Sequence, residues 1–125
     1  MIQDALRRLP HEACGLLAGK EETATTCYSM TNIEKSPVRY MMDPKEQFTV
    51  MKTIRSRDEI MLGIYHSHVA SRPYPSETDV RLAFYPEVHY VLVSLENRKT
   101  PAVKAYRIED GKIREDAIEI VKGVL

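Results

Sequence analysis

Two histidines, a serine and an aspartate follow an apolar run within a stretch of fourteen residues. The run covers residues 60–64, and His66, His68, Ser76 and Asp79 come after it. In an extended chain, side chains two positions apart point to the same side, so His66 and His68 can reach one ion together. Imidazole and carboxylate groups suit Zn²⁺, and three protein ligands that leave one position open are typical of catalytic zinc. The pattern therefore predicts a zinc site.

The third ligand requires the chain to turn back toward the histidines. Two prolines stiffen the loop 69–75, and Ser76 after it is a favourable helix N-cap residue. Asp79 then lies in the first turn of the next helix, where the helix N-terminus favours a negative charge. Ser76 has two interpretations: a plain helix cap, or a hydroxyl that donates to charge developing in a reaction.

Other metal patterns fit poorly. A metallo-β-lactamase-like motif would continue with Asp and His where this chain has Ala70 and Ser71, and no His-Glu-x-x-His occurs in the sequence. Cys14 and Cys27 do not have the spacing of a structural zinc site, and Cys14 is expected to be a small buried residue.

The histidine segment, together with an upstream glutamate, matches a known signature. His66, His68, Ser76 and Asp79 fit His-x-His-x7-Ser-x2-Asp at every spacing, and Glu12 lies upstream. The chain thus resembles the JAMM (MPN-plus, Mov34-type) metallopeptidases. The resemblance implies that His66, His68 and Asp79 bind zinc, that Glu12 is the general base and acid, and that Ser76 helps to hold the oxyanion. It also implies a cytidine-deaminase-like (JAB1/MPN) α/β fold.

Further strings are similar to a bacterial stand-alone subgroup of the CysO-cysteine peptidase type. Its members trim the carboxyl terminus of ubiquitin-like sulfur-carrier proteins next to a Gly-Gly end. The matching strings are residues 38–47, 74–76, 89–94 and 106–108. The resemblance therefore implies a carrier-protein tail as the substrate. Met41, Met42, Phe84 and Tyr85 are open to two interpretations, a docking surface for the carrier or, more commonly for apolar residues, the core.

Two other functions stay open at this stage. A noncatalytic MPN scaffold would typically lack one or more ligands, whereas all are present here. A RadC-like domain, which is linked to DNA metabolism, shares the ligand pattern, but the segment after His68 lacks that family's Pro-Ser-Gly. Measured metal content would separate a noncatalytic scaffold from an enzyme, and measured DNA affinity would separate a RadC-like domain from the peptidase.

Composition limits the partners. The chain has 125 residues, which predicts one domain over 1–125, and its 18 basic and 18 acidic residues form no basic stripe that would favour nucleic acid. No apolar run is long enough for a membrane span. Two unpatterned cysteines and a charged amino terminus unlike a signal peptide predict a cytoplasmic protein. The amino terminus is shorter than is usual in the family, and a homodimer is one arrangement that would cover the sheet edge there.

The predicted elements form a mixed sheet with a long helix on one side and a short helix on the other. A first short helix ends at Arg8, a second starts at Asp43-Pro44 and runs to about Arg57, and a third runs from Ser76 to near Pro86. The second helix is expected to bury Phe48, Met51 and Ile54. Strands are predicted over residues 13–18, 23–33, 38–42, 60–65, 90–95, 102–108 and 112–121, the last two joined by a hairpin turn at Asp110-Gly111.

Overall fold

A computed structural model describes residues 1–119, which contain three helices and six strands. In chain order the elements are α1 (Ile2–Arg7), β1 (Cys14–Lys20), β2 (Thr23–Met30), α2 (Pro44–Ser56), β3 (Ile60–His68), α3 (Glu77–Arg81), β4 (His89–Ser94), β5 (Ala102–Glu109) and β6 (Lys112–Asp116). The strands form one sheet in the order β2-β1-β3-β4-β5-β6. Strands β3 and β4 are parallel, and the other neighbouring pairs are antiparallel. None of the helices within residues 1–119 is long and apolar enough to cross a membrane.

The sheet is covered on both faces, as predicted. Because side chains alternate along a strand, Leu16 and Leu17 of β1 enter different apolar clusters. Leu16 lies in the cluster that packs against α2 through Ile54, and Val80 of α3 packs against the same cluster. Leu17 lies in the cluster that contains Ala5 of α1. The histidine strand β3 is therefore a central strand between two packed layers.

Two local sequence signals are confirmed. Asp43 is the N-cap of α2, where its carboxylate accepts hydrogen bonds from the backbone N–H groups of Lys45 and Glu46, and Pro44 begins the helix. Asp110 and Gly111 join β5 to β6 with φ angles of 51° and 76°. Positive φ at both central residues is what a type I′ hairpin turn needs, and glycine adopts it without steric cost.

The strand predicted over 38–42 is wrong. That segment forms a loop with one isolated bridge, between Asn32 and Met42. The Asn32 side chain hydrogen-bonds the backbone of Arg39 and Met41. Those backbone groups are therefore unavailable to a neighbouring strand.

Phe48 was predicted to face the core, but its side chain is 65 % exposed. Successive helical residues turn by about 100°, so positions spaced three apart drift around the axis. The buried stripe of α2 instead follows Val50, Met51 and Ile54, and the Lys52 ammonium lies over the exposed Phe48 ring.

The other differences concern where elements end. The helix after Ser76 ends at Arg81 instead of near Pro86, with Leu82 as its C-cap. The Tyr85 N–H donates to the Tyr90 hydroxyl and is therefore not available to continue the helix. Strand β2 ends at Met30 and β6 at Asp116, whereas β3 continues through the histidines to His68. Residues 120 and 121 of the last predicted strand lie outside the described residues, so the expectation of one domain over 1–125 stays a prediction.

Candidate metal centre

The two histidines occupy the carboxyl end of β3. They point to the same face and are nearly inaccessible, with 1 % exposure for His66 and 4 % for His68. Ser67 between them points to the opposite face, where its Oγ accepts a hydrogen bond of 2.7 Å from the Ala13 N–H. The central position of β3 therefore fixes both imidazoles on a rigid strand.

Asp79 reaches the histidines from the first turn of α3. The Ser76 Oγ accepts a hydrogen bond of 3.0 Å from the Asp79 N–H, and Asp79 Oδ2 accepts one of 2.8 Å from the Ser76 N–H. This reciprocal pair is a capping box, which holds the start of the helix. The predicted N-cap role of Ser76 is thus confirmed, and the same contact aims the Asp79 carboxylate.

Three potential ligand atoms converge on one point. His66 Nε2 lies 3.2 Å from His68 Nε2, and Asp79 Oδ2 lies 3.1 Å and 3.0 Å from those two nitrogens respectively. A tetrahedral ion with bonds of about 2.0 Å has ligand atoms about 3.3 Å apart. The residues therefore fit a small tetrahedral cation such as Zn²⁺ in both donor type and spacing.

Neighbouring groups orient the imidazoles. His68 Nδ1 lies 2.9 Å from the Arg72 carbonyl oxygen, so Nδ1 carries the hydrogen and Nε2 faces the cluster. The His66 ring stacks on the Tyr40 ring, with 4.5 Å between centroids and an angle of 25° between planes. Sequence reasoning missed Tyr40 and the Arg72 carbonyl, because neither carries a local signal.

Burial and the contacts among the three side chains shift their pKa values in different directions. Burial is the largest effect on His66 and lowers its pKa, which favours the neutral imidazole. Burial is also the largest single effect on His68 and lowers its pKa. The hydrogen bonds to Asp79 and the Arg72 carbonyl, together with the negative charges of Asp79 and Glu12, outweigh burial and leave the pKa above its ordinary value. Burial opposes ionisation of Asp79, yet hydrogen bonds from the two histidines hold its pKa well below its usual range. Asp79 is therefore an anion at neutral pH.

Glu12 lies beside this cluster, just before β1. Strand β1 pairs antiparallel with β3 so that Cys14 is opposite His66, and extending this register by two residues places Glu12 beside His68. Its carboxylate is 4 % exposed, and Oε1 has no hydrogen-bond partner among residues 1–119. Burial raises the pKa of Glu12 to about 8. The ionised form of such a carboxylate is a stronger base than an ordinary glutamate, and Oε1 is free to accept a hydrogen bond.

Cys14 has no sign of chemical activity. It is fully buried, and burial raises the pKa of its thiol to about 12. The expectation that Cys14 packs as a small apolar residue is confirmed.

A cavity of about 220 Å³ opens next to Asp79. Among the four residues with two interpretations, Met42 belongs to the core at 8 % exposure, and Tyr85 packs partly against it. Met41 and Phe84 are 47 % and 71 % exposed. The cavity is lined mainly by apolar and aromatic side chains: Tyr40, Met41, Met42, Ile64, Leu82, Phe84, Tyr85 and Tyr90.

The fold and the site together define a class: a mixed α/β sheet whose central strand presents a His-x-His pair to an aspartate at a helix start. A family model described as prokaryotic homologs of the JAB domain matches residues 1–109, and the chain belongs to this family. The resemblance to JAMM/MPN proteins noted from the sequence is confirmed.

Curated relatives and solved structures agree with this assignment. The CysO-cysteine peptidase of Mycobacterium tuberculosis is 43 % identical over 124 residues, which are 98 % of this chain and 85 % of that protein. A desampylase of Haloferax volcanii is 37 % identical over 94 residues, 73 % of this chain and 68 % of that protein. A Desulfitobacterium hafniense protein solved in solution is 36 % identical with a TM-score of 0.89, covering 99 % of this chain and 88 % of its own.

A more distant structure supports the fold alone. A JAB1/MPN domain protein from Archaeoglobus fulgidus is 20 % identical with a TM-score of 0.61, covering 97 % of this chain and 90 % of its own. The predicted cytidine-deaminase-like mixed sheet between helices is therefore confirmed.

Proposed function

We propose that the chain is a zinc-dependent metallopeptidase or isopeptidase that cleaves at the Gly-Gly tail of a ubiquitin-like sulfur-carrier protein. The chain is a hydrolase of the JAB-domain family, as its family and its peptidase relatives show. The observation that carries the proposal is the convergence of three ligand atoms from His66, His68 and Asp79, at 3.0–3.2 Å, beside the buried carboxylate of Glu12.

The three ligands would hold the ion, and Glu12 would move the proton. When bound, zinc supplies a Lewis acid for the scissile carbonyl and makes a nucleophile available at neutral pH. Glu12 takes a proton from the attacking water as the water oxygen bonds to the carbonyl carbon, and returns it to the nitrogen as the C–N bond breaks. One water is consumed, and the products are a carboxylic acid and an amine.

We propose Ser76 for the remaining task, stabilisation of the charge on the carbonyl oxygen. Its Oγ accepts from the Asp79 N–H, which leaves the hydroxyl hydrogen free to point elsewhere. A hydroxyl donor beside the proposed zinc ligand Asp79 would lie close to the oxygen of the scissile carbonyl, which gains negative charge during the attack. We propose that Ser76 both caps α3 and donates to this oxygen.

The cavity beside Asp79 supports an extended tail as the substrate. A cavity of about 220 Å³ is too small for a folded carrier, but its apolar wall suits a few extended residues that lead to the metal centre. Met41 and Phe84 are exposed at its margin and would contact the residues before the diglycine. Glycines at the scissile bond would let the chain pass close to the buried ligands.

The alternatives have weaker support. A noncatalytic scaffold needs neither a complete ligand set nor a buried carboxylate without a partner beside it. The balanced charge, with 18 basic and 18 acidic residues, does not favour a RadC-like role on DNA.

Mass spectrometry of a sulfur carrier with a cysteine or dipeptide after Gly-Gly tests the proposal. We expect the zinc-loaded protein to release the extension, and Glu12→Gln to keep its zinc but lose turnover by at least about a hundredfold. Glu22→Gln is the matched control, because Glu22 is an exposed turn residue and its substitution should leave both zinc and rate unchanged. An intact carrier with zinc-loaded wild type would refute the substrate, and full turnover by Glu12→Gln would refute the base.

Two further proposals concern location and assembly. A cytoplasmic location is supported by Cys14 and Cys27, which are free thiols suited to a reducing compartment. A homodimer is supported by β2, an edge strand with a partly exposed face that another copy could cover. Fractionation of cells and sedimentation velocity of the purified chain test these two points.

A further inference from the structure

The loop 31–43 between β2 and α2 contacts both halves of the candidate site. The Glu12 N–H donates to the Ser36 carbonyl oxygen at 2.8 Å. Further along the same loop, Tyr40 stacks on the ring of His66. One loop therefore contacts the proposed base and a proposed zinc ligand, which lie on different strands or their ends.

Asn32 holds this loop in place with the full capacity of its side-chain amide. The Nδ2 group donates to the Glu12 carbonyl oxygen at 3.1 Å and to the Arg39 carbonyl oxygen at 3.0 Å. Oδ1 accepts from the N–H groups of Glu34 at 3.0 Å and of Met41 at 3.1 Å. Asn32 is 7 % exposed, so water cannot readily replace these four bonds.

The partners of Asn32 are informative. Arg39 and Met41 flank Tyr40, so the amide fixes the backbone on both sides of the residue that stacks on His66. The remaining donor bond reaches Glu12 itself. This position requires a planar group that donates two hydrogen bonds and accepts two, and among short side chains asparagine alone provides it.

We infer that Asn32 is a positioning residue that fixes Glu12 directly and orients the ring of His66 through Tyr40. The part of this inference that concerns turnover rests on the proposed peptidase function. The structural part does not, because it concerns the order of the loop and the orientation of an imidazole. A buried amide with all of its hydrogen bonds made is able to specify such an arrangement.

Asn32→Asp tests the inference with little change of shape. The aspartate keeps an oxygen for Glu34 and Met41 but loses both donors, and it places an oxygen against the carbonyls of Glu12 and Arg39. Asn97→Asp is the matched control, since Asn97 is exposed and uses its Oδ1 to accept from the Lys99 N–H.

Hydrogen exchange of the full zinc-loaded chain is the first measurement. In Asn32→Asp we expect amides in segments 11–14 and 38–42 to exchange at least about tenfold faster, with β4 and β5 unchanged relative to Asn97→Asp. On the tail-extended carrier, kcat should fall at least about tenfold, because Asn32 holds Glu12. KM should rise as well, because Arg39 and Met41, whose backbone Asn32 holds, line the cavity. Unchanged exchange in both segments, or equal acceleration across the whole sheet, would overturn the positioning role.

Tyr40 provides the second measurement. Tyr40→Phe keeps the stacked ring, whereas Tyr40→Leu removes it. With Co²⁺ as the probe ion, we expect Tyr40→Phe to keep the wild-type affinity and visible spectrum, and Tyr40→Leu to bind at least about tenfold more weakly with an altered spectrum. Equal behaviour of the two variants would show that stacking does not orient His66.

These readouts separate the two proposals. If the wild type binds Co²⁺ but cleaves no carrier, the proposed function fails, while the exchange and cobalt results still decide the role of Asn32 and Tyr40. If the carrier is cleaved but Asn32→Asp exchanges and reacts like the wild type, the peptidase proposal stands and the positioning role is refuted.

Discussion

Replacing Ser76 by threonine or glycine separates the two roles proposed for its hydroxyl. Ser76 caps α3 through the 3.0 Å hydrogen bond from the Asp79 N–H, and its φ of −76° and ψ of 168° are open to any residue. Threonine and glycine are similar as N-cap residues, and glycine costs only a few tenths of a kcal/mol relative to serine. The two variants therefore match in capping and differ in the hydroxyl.

The expected effects differ in size. Loss of an oxyanion donor costs about 2.7–4 kcal/mol, which is a decrease in kcat of about a hundredfold to a thousandfold. If Ser76 is only a helix cap, kcat should be equal for Ser76→Gly and Ser76→Thr. If Ser76 is an oxyanion donor, kcat of Ser76→Gly should fall by about two to three orders of magnitude, whereas kcat of Ser76→Thr should stay within about tenfold of the wild type.

The assay combines kcat on the tail-extended carrier, zinc content and urea denaturation. Zinc content is essential, because α3 has five residues and carries Asp79, so a damaged cap could release a ligand. Ser76→Ala should also lower the free energy of unfolding by about 1 kcal/mol, since alanine is a poor N-cap. If Ser76→Gly keeps its zinc and turns over as fast as Ser76→Thr, the oxyanion role is wrong and Ser76 is only a cap.

Three further predictions concern stability. Burial raises the pKa of Asp4, but hydrogen bonds, including one of 2.6 Å from the Tyr65 hydroxyl, hold this pKa below its usual value. The stabilisation that the ionised carboxylate provides is therefore present above about pH 4 and is lost as the pH falls through the folded-state pKa. Asp4→Asn should therefore cost about 2 kcal/mol in urea denaturation at pH 7, and the difference from wild type should shrink at pH 3. Zinc at a hundred times its dissociation constant should raise the free energy of unfolding by about 2.7 kcal/mol, and His68→Ala should abolish that gain in thermal denaturation. Ser67→Ala leaves the buried Ala13 N–H without its partner and should cost about 1–3 kcal/mol in the same assay, whereas a cost near zero would contradict the importance of that contact.

The proposed ligands were predictable because the rules that place them are local. Alternation along a strand puts His66 and His68 on one face, and an N-cap at Ser76 puts Asp79 in the first turn of the helix. These residues lie within fourteen positions, so no long-range packing is needed to identify them. The hairpin at Asp110-Gly111 was predictable for the same reason, since the turn is decided by two adjacent residues.

The loop 31–43 was not predictable by those rules. Its composition at 38–42 favours a strand, but one distant side chain, Asn32, binds the backbone that a neighbouring strand would have used. Tyr40 has no sequence feature that distinguishes it from the other tyrosines, because its contact with His66 exists only once the loop is folded against β3. Tertiary contacts therefore decided this segment against its local propensity.

Glu12 shows why the base is harder to find than the ligands. Sequence spacing gave it no role, and only the family resemblance singled it out. Its place beside His68 follows from the antiparallel register of β1 and β3. More than fifty residues separate Glu12 from His68 in the sequence, so no local pattern reveals this contact. The ligands and the base thus reach the site by different routes, the first through local geometry and the second through sheet pairing.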